Sequence, residues 1–341
     1  MALVSSGSIS LGGSTSGRSI NLELDRAATA QISLNDTIAR DLAGVASGTI
    51  SLSNFYGKSS FSGVILDNLL IVAGGGGGGR DFGTGGGAGG VLSYTNLTIN
   101  PGTYTITVGA GGPGALNTMG SAVYGGDSSA FGYTASAGGP GGIYRNAPSN
   151  NGGSGGGGAS KLSGGTPNPN PGGSGTSGQG NDGGAGFWFV PRRSYARYCG
   201  GGGGGVSGTG TDGLNVPNNI GTGGNGGSGA DTTLTGSTIN YAAGGAGSGT
   251  DAIGSPGGSS AGTANRTSSV NGGDAAANSG SGGGGTGFGG SSMRGGNGGS
   301  GMVIIKYPVS FPAPSAISGA VNHSTATHRI YRFTGTGSIT W

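Results

Sequence analysis

The chain has 341 residues, of which 91 are Gly and 13 Pro, while only 8% are charged and the formal net charge is +3. An average globular domain carries Gly near 7% and about a quarter charged residues. Leu, Ile, Val and Phe total 57 residues, too few for a conventional core at this length, and the glycines keep no strict period of three, which excludes collagen.

Composition of this kind reads as disorder only when net charge is also high, and +3 is low. The longest mostly apolar run, Val64–Ala73, is interrupted by Asp67 and Asn68 and is too short for a bilayer span, so no membrane insertion is expected. The opening residues MALVSSGSIS have neither a basic start nor a long apolar stretch, so no secretory signal is expected. Cys199 is the sole cysteine, which rules out an intrachain disulfide. The basic residues are scattered and a single Arg-Gly-Gly occurs, at Arg294; no nucleic-acid partner follows from that.

Residues 1–60 form a distinct part, holding 8 of the 27 charged residues and the only Glu, Glu23. An Ile-Ser-Leu motif recurs three times there, at Ile9–Leu11, Ile32–Leu34 and Ile50–Leu52. Each reads as a short strand or docking segment in a small α+β unit. Between the last two, Asn35 stands as an N-cap, Ile38 and Leu42 share a helical face, and Gly44 takes the C-cap position.

From residue 61 onward, apolar runs alternate with glycine tracts. Val64–Ala73 leads into Gly74–Gly79; Val91–Ile99 and Thr103–Val108 flank the turn dipeptide Pro101-Gly102. Further tracts fill 152–158, 172–186, 200–205, 221–229, 244–249 and 280–301. Met302–Tyr307 reads as a strand, and residues 329–341 alternate like a terminal β-hairpin turning at Gly335–Gly337. A flexible linker is the simplest account of the tracts. Linkers, however, do not alternate with so many distinct inserts or end directly in strands. An ordered solution exists: three-residue-per-turn polyglycine-II helices packed side by side, each satisfying its backbone on its neighbours, which only glycine allows. The expected fold class is therefore mostly β and irregular. A small α+β anchor over 1–60 precedes a glycine-rich domain of short strands and packed polyglycine-II-like helices over 61–341.

The stretch Asn35-Asp36 through Gly44 and the closing Ile50–Lys58 resemble the start of many structural proteins of tailed bacteriophages. By that resemblance Ile9, Leu11, Ile32, Leu34, Ile50, Leu52, Phe55 and Tyr56 are expected to attach the chain to other tail or virion proteins. Four further stretches, Ile71–Gly79, Pro101–Gly112, Gly298–Tyr307 and Tyr331–Trp341, resemble the glycine-rich domain of phage tail proteins. That domain is similar to the tail-fibre-tip adhesins of T-even-type phages, whose polyglycine helices carry receptor-contacting loops. The resemblance implies a virion protein made in the host cytoplasm that binds a bacterial polysaccharide or outer-membrane protein without catalysis. A capsid decoration or baseplate component with no receptor role is the alternative. A homo-oligomer is left open. An ice-binding polyglycine protein would show a regular Gly-X-X repeat, which the irregular inserts lack.

No Gly-Lys-Ser/Thr follows a glycine loop, so there is no phosphate-binding loop. His323 and His328 with Cys199 give no metal spacing. Asp127, Asp182 and Asp274 sit where Asp makes turns. No enzyme, metal or cofactor is expected. Recognition remains, and loops on a rigid scaffold are where it concentrates. The insert 186–199 is rich in aromatic and basic residues, the types that dominate interface hot spots. Phe187, Trp188, Arg192, Arg193, Tyr195, Arg197 and Tyr198 are its candidate contacts, with Trp188, Arg192, Arg193 and Tyr195 expected to face outward. The alternative for the Phe187–Phe189 run is a structural plug. Secondary candidates are Tyr144 and Arg145 in the 143–151 loop and Met293 and Arg294 in the 288–294 loop; the loops at 166–171 and 214–220 are weaker still.

Overall fold

The structure is a computed structural model describing residues 3–58, 63–116, 122–143, 150–160, 169–189, 196–216, 220–266, 269–287 and 293–341. Residues 3–58 carry two short helices, α1 (Ile20–Glu23) and α2 (Thr37–Ala43), and a 3-10 turn at Leu52–Phe55. Their core gathers Leu3, Ile20, Ala39, Leu42, Ala43 and Phe55. The Ile-Ser-Leu motifs are not strands. Ile9, Leu11, Ile32, Leu34 and Ile50 lie half-buried against this core, whereas Leu52 and Tyr56 are exposed. The motifs thus act as packing segments around α2. In α2 the N-cap is Asp36 rather than Asn35, whose Oδ1 instead accepts two hydrogen bonds from the Arg40 guanidinium. Gly44 does close the helix, in the left-handed region at φ 70°. The buried face is Ala39, Leu42 and Ala43, which leaves Ile38 exposed.

From residue 63 onward the described residues hold strands, turns and extended chain, with no helix among them. The apolar run after Gly63 is split at Asp67 into β1 (Val64–Leu66) and β2 (Asn68–Val72). β3 (Val91–Tyr94), β4 (Leu97–Ile99) and β5 (Thr103–Ile106) follow. β4 pairs with β1 and not with β5, so Pro101-Gly102 turns the chain between two different sheets. Four two-stranded hairpins come next: β6 (Ser128–Ala130) with β7 (Tyr133–Ala135), β8 (Phe187–Phe189) with β9 (Arg197–Cys199), β10 (Leu214–Val216) with β11 (Ile220–Thr222), and β12 (Ala230–Thr232) with β13 (Ile239–Tyr241). The chain closes with β14 (Met302–Pro308), β15 (Ala316–Asn322) and β16 (His328–Thr340).

The main sheet runs β15-β16-β14-β2-β3, with β5 added along the second half of β16. Residues 329–341 are therefore not a hairpin. β16 is one strand that pairs with β14 through residues 328–333 and with β5 from Gly337 on, and Gly335–Gly337 is where it passes from one neighbour to the other. Its hairpin partner is β15. Side chains alternate across the sheet, as the period of two requires. One face packs Leu69, Ile71, Val303, Ile305 and Phe333, and the other packs Leu70, Val72, Met302, Ile304 and Ile330.

The glycine tracts extend from this sheet as an ordered array with a hydrogen-bond period of three. Gly76 and Gly79 donate to Gly87 and Thr84, Gly74 and Gly77 to Gly126 and Val123, and Gly75 and Gly78 to Gly299 and Gly296. The carbonyls of the same tract accept from three other segments: Gly112 and Ala115, Gly138 and Gly141, and Gly283 and Thr286. Six neighbours thus surround 74–79. The return tract 84–90 repeats the scheme, with Gly85 and Ala88 donating to Gly201 and Gly204, Gly86 and Gly89 to Gly283 and Gly280, and Gly87 and Gly90 to Gly139 and Ser136. Side chains are excluded by contact. A Cβ would stand 2.0 Å from the Ala110 oxygen if placed on Gly74, and 2.1 Å from the Gly284 oxygen if placed on Gly78. The core of this region is backbone, as the composition demanded.

Candidate functional site at the outer end of the glycine array

Val72 lies in the sheet and Gly79 seven residues beyond it, roughly 20 Å at the ~3 Å rise of extended chain. At that outer level the tract 74–79 turns through Arg80–Gly83. Asp81 and Phe82 take positive φ of 52° and 58°, and Arg80 is buried at 1% exposure, its Nη1 donating to the Leu116 carbonyl. Phe82 stacks on Tyr198 of β9 with ring centroids 4.6 Å apart. Tyr198 in turn bonds through its backbone to Thr250, and Arg197 pairs with Asp251 at 3.2 Å. Asp251 also accepts from the Gly221 N–H (2.7 Å), which ties β11 to the same end. The β8–β9 hairpin, the 80–83 turn and the 250–252 turn therefore form one platform.

The structure places the expected contacts unequally on this platform. Phe187, Arg197 and Tyr198 are half-buried. Trp188 does not face outward: it is 5% exposed, and its indole N–H has no acceptor. The ring is buried despite the uncapped donor, because burying an aromatic of this size outweighs one lost hydrogen bond. Met293 is likewise buried, at 4%. Arg294 is half-buried and held bidentate by Asp274, both bonds at 3.0 Å. Arg192, Arg193, Tyr195, Tyr144 and Arg145 lie outside the described residues. Exposed apolar side chains stand at tract ends: Leu116, which the sequence did not single out, is 64% exposed, and Leu214, the first residue of the weaker 214–220 candidate loop, is 52% exposed.

The acidic residues have a role that reading them as turn formers missed. Asp127, Asp182, Asp212 and Asp274 each accept a backbone N–H from a neighbouring tract, those of Ala137, Gly175, Ala185 and Asn297, at 2.7–2.8 Å. Asn151, Asn225, Asn271 and Asn297 do the same for Ser174, Ser255, Arg294 and Gly114. Carboxylate and amide oxygens thus stand in for the carbonyls that an absent neighbour would supply at the array's border. Burial would raise the Asp274 carboxyl, but hydrogen bonds from Arg294 and Asn297 outweigh it and hold it below its ordinary value. Beside it a shallow depression of about 520 Å³ runs between Pro113, Asn297 and Ala275. Burial, assisted by Asp251, pushes the Cys199 thiol up to about 12, so it stays protonated and unreactive at neutral pH. Among the described residues no group of three His, Cys, Asp or Glu could hold a metal.

Strands feeding glycine tracts whose turns gather at the far end define a glycine-rich architecture. The chain belongs to the glycine-rich domain family, whose model matches residues 62–308. No curated protein and no solved structure matches it.

Proposed function

We propose that this chain is a bacteriophage virion protein, a tail-fibre or tail-tip adhesin that binds a host-surface polysaccharide or outer-membrane protein without catalysis. Residues 1–60 attach it to other tail proteins, and the array is a bundle of packed polyglycine-II helices. The observation that carries this reading is the six-fold hydrogen bonding of 74–79 and 84–90, which supports the turns at their outer end on a scaffold with no soft side-chain core. A stiff scaffold lowers the ordering cost of any contact its loops make. The phage-like motifs in both parts of the sequence support the assignment to a virion.

The burial of Trp188 and Met293 favours a narrower contact set than the sequence suggests, centred on Arg197, Tyr198, Leu116 and Leu214. It also keeps a second reading in play, a decoration or baseplate component whose aromatic insert is a plug. The test is adsorption competition: purified protein added to susceptible bacteria should block infection by the phage that carries it. Particles labelled at the head, together with an absence of competition, would favour the second reading.

A further inference from the structure

The sheet face lined by Leu70, Ile304 and Ile330, which also packs Ala88 and Ala242, carries two cations. Arg332 on β16 stands opposite Ile304 of β14 and Val321 of β15. Lys306 on β14 stands opposite Ile330 and, on its other side, opposite Asn68 of β2. The two cations are therefore diagonal neighbours on adjacent strands, about 7–8 Å apart and within mutual reach of one small ion. Among the described residues neither has a hydrogen bond or ion pair, and the Arg332 Nε is buried with no acceptor. Asp67, beside Asn68 at this edge, is engaged by His328 at 3.1 Å.

A guanidinium with a desolvated N–H and no counter-charge is costly, because burying a charge is offset only by a partner. Burial pushes the Arg332 guanidinium below its ordinary value, the expected sign for a cation lacking that partner. Other strand cations of the same sheet are satisfied: the Arg329 Nε donates to the Phe311 carbonyl. Val321, 52% exposed, adds an apolar wall beside Arg332, and the Asn68 amide adds a neutral donor.

We propose that Arg332 and Lys306, with Asn68 beside them, form a binding site for an oxyanion, a carboxylate or a phosphate group. Arg332 presents its planar fork, the geometry that matches either group bidentately, and Lys306 adds a point charge from the next strand. The site belongs to the sheet end of the molecule, away from the outer turns, and does not rest on the adhesin reading.

The test is thermal unfolding of the full chain titrated with inorganic phosphate and, separately, with citrate, at constant ionic strength set by chloride. Saturable stabilisation is expected for the wild type, with the midpoint shifted at least ten-fold by Arg332→Gln and several-fold by Lys306→Gln. A response to phosphate alone assigns a phosphoryl ligand, a response to citrate alone assigns a carboxylate, and a response to both assigns an oxyanion site that takes either group. Without added anion, Arg332→Gln should unfold at or above the wild-type temperature, since it removes an unpaired, half-buried charge whose Nε is desolvated. Identical titrations for the wild type and Arg332→Gln, no response beyond chloride, or a variant that is destabilised without anion would each overturn the site.

Discussion

A Cβ placed on Gly74 would stand 2.0 Å from the carbonyl oxygen of Ala110, so these two backbones touch where other proteins place side chains. The same holds along the tract: Gly78 meets the Gly284 oxygen and Gly76 the Gly139 oxygen at 2.1 and 2.2 Å. Interior glycines here are chosen by contact, not by backbone angle, since none of 74–79 has positive φ.

Gly78→Ala should therefore cost about 3 kcal/mol, the upper range for overpacking, and Gly78→Leu should abolish cooperative folding. Gly335→Ala is the control, because nothing lies within 4 Å of its added Cβ. Calorimetric unfolding decides it: an unchanged Tm for Gly78→Ala would mean the tracts are not packed as described.

Trp188 separates packing from recognition. Trp188→Ala should destabilise by about 3–5 kcal/mol, as for other buried aromatics. Trp188→Phe should be nearly neutral, because the indole N–H it deletes has no acceptor. A Trp188→Ala protein with wild-type Tm would return the ring to the surface.

Asp274 gives a signed pH dependence. Its folded-state pKa is depressed, so its contribution to stability is present above the unfolded value near 4 and is lost as pH falls through the folded value. Acid titration of Tm should show a smaller fall in Asp274→Asn than in the wild type. The difference should be modest, because the pair with Arg294 is partly exposed. Parallel curves for the two proteins would count against the border role.

The Cys199 thiol, pushed up to about 12 and fully buried, should resist alkylation at pH 8 in the folded protein. It should react promptly in denaturant. Rapid modification under native conditions would show that the β8–β9 hairpin opens.

Deleting residues 1–60 should leave the unfolding temperature of the remainder unchanged. The core of Leu3, Ile20, Ala39, Leu42, Ala43 and Phe55 includes no residue beyond 58, and the two sheet-face clusters include none before 64. Loss of cooperative unfolding on deletion would show that the parts are interdependent.

The alternation of glycine tracts with distinct inserts and strands made the ordered array legible, because glycine's lack of a side chain is the property that packed backbones need. β14 was legible too, because the short apolar run Met302–Tyr307 follows a glycine tract directly and reads as a strand. Partners were not legible. Residues 329–341 alternate as any strand does, and nothing local distinguishes one strand changing neighbours at Gly335–Gly337 from a hairpin turning there. Asp182 and Asn225 have the local sequence of turn formers, and their use as stand-in carbonyls depends on tracts distant in the chain. Trp188 misled because hot-spot chemistry and core chemistry use the same residue.

The hydrogen-bond period of three sets how such a chain can change length. Adding three residues to a tract restores every donor to its former neighbour and moves the outer turn by about 9 Å. Adding one or two turns the donors of Gly76 and Gly79 from the 84–87 segment toward a different one and disrupts the bonds beyond the insertion. Insertions and deletions in multiples of three, made jointly in paired tracts such as 74–79 and 84–90, are thus the steps by which this architecture can grow taller or shorter.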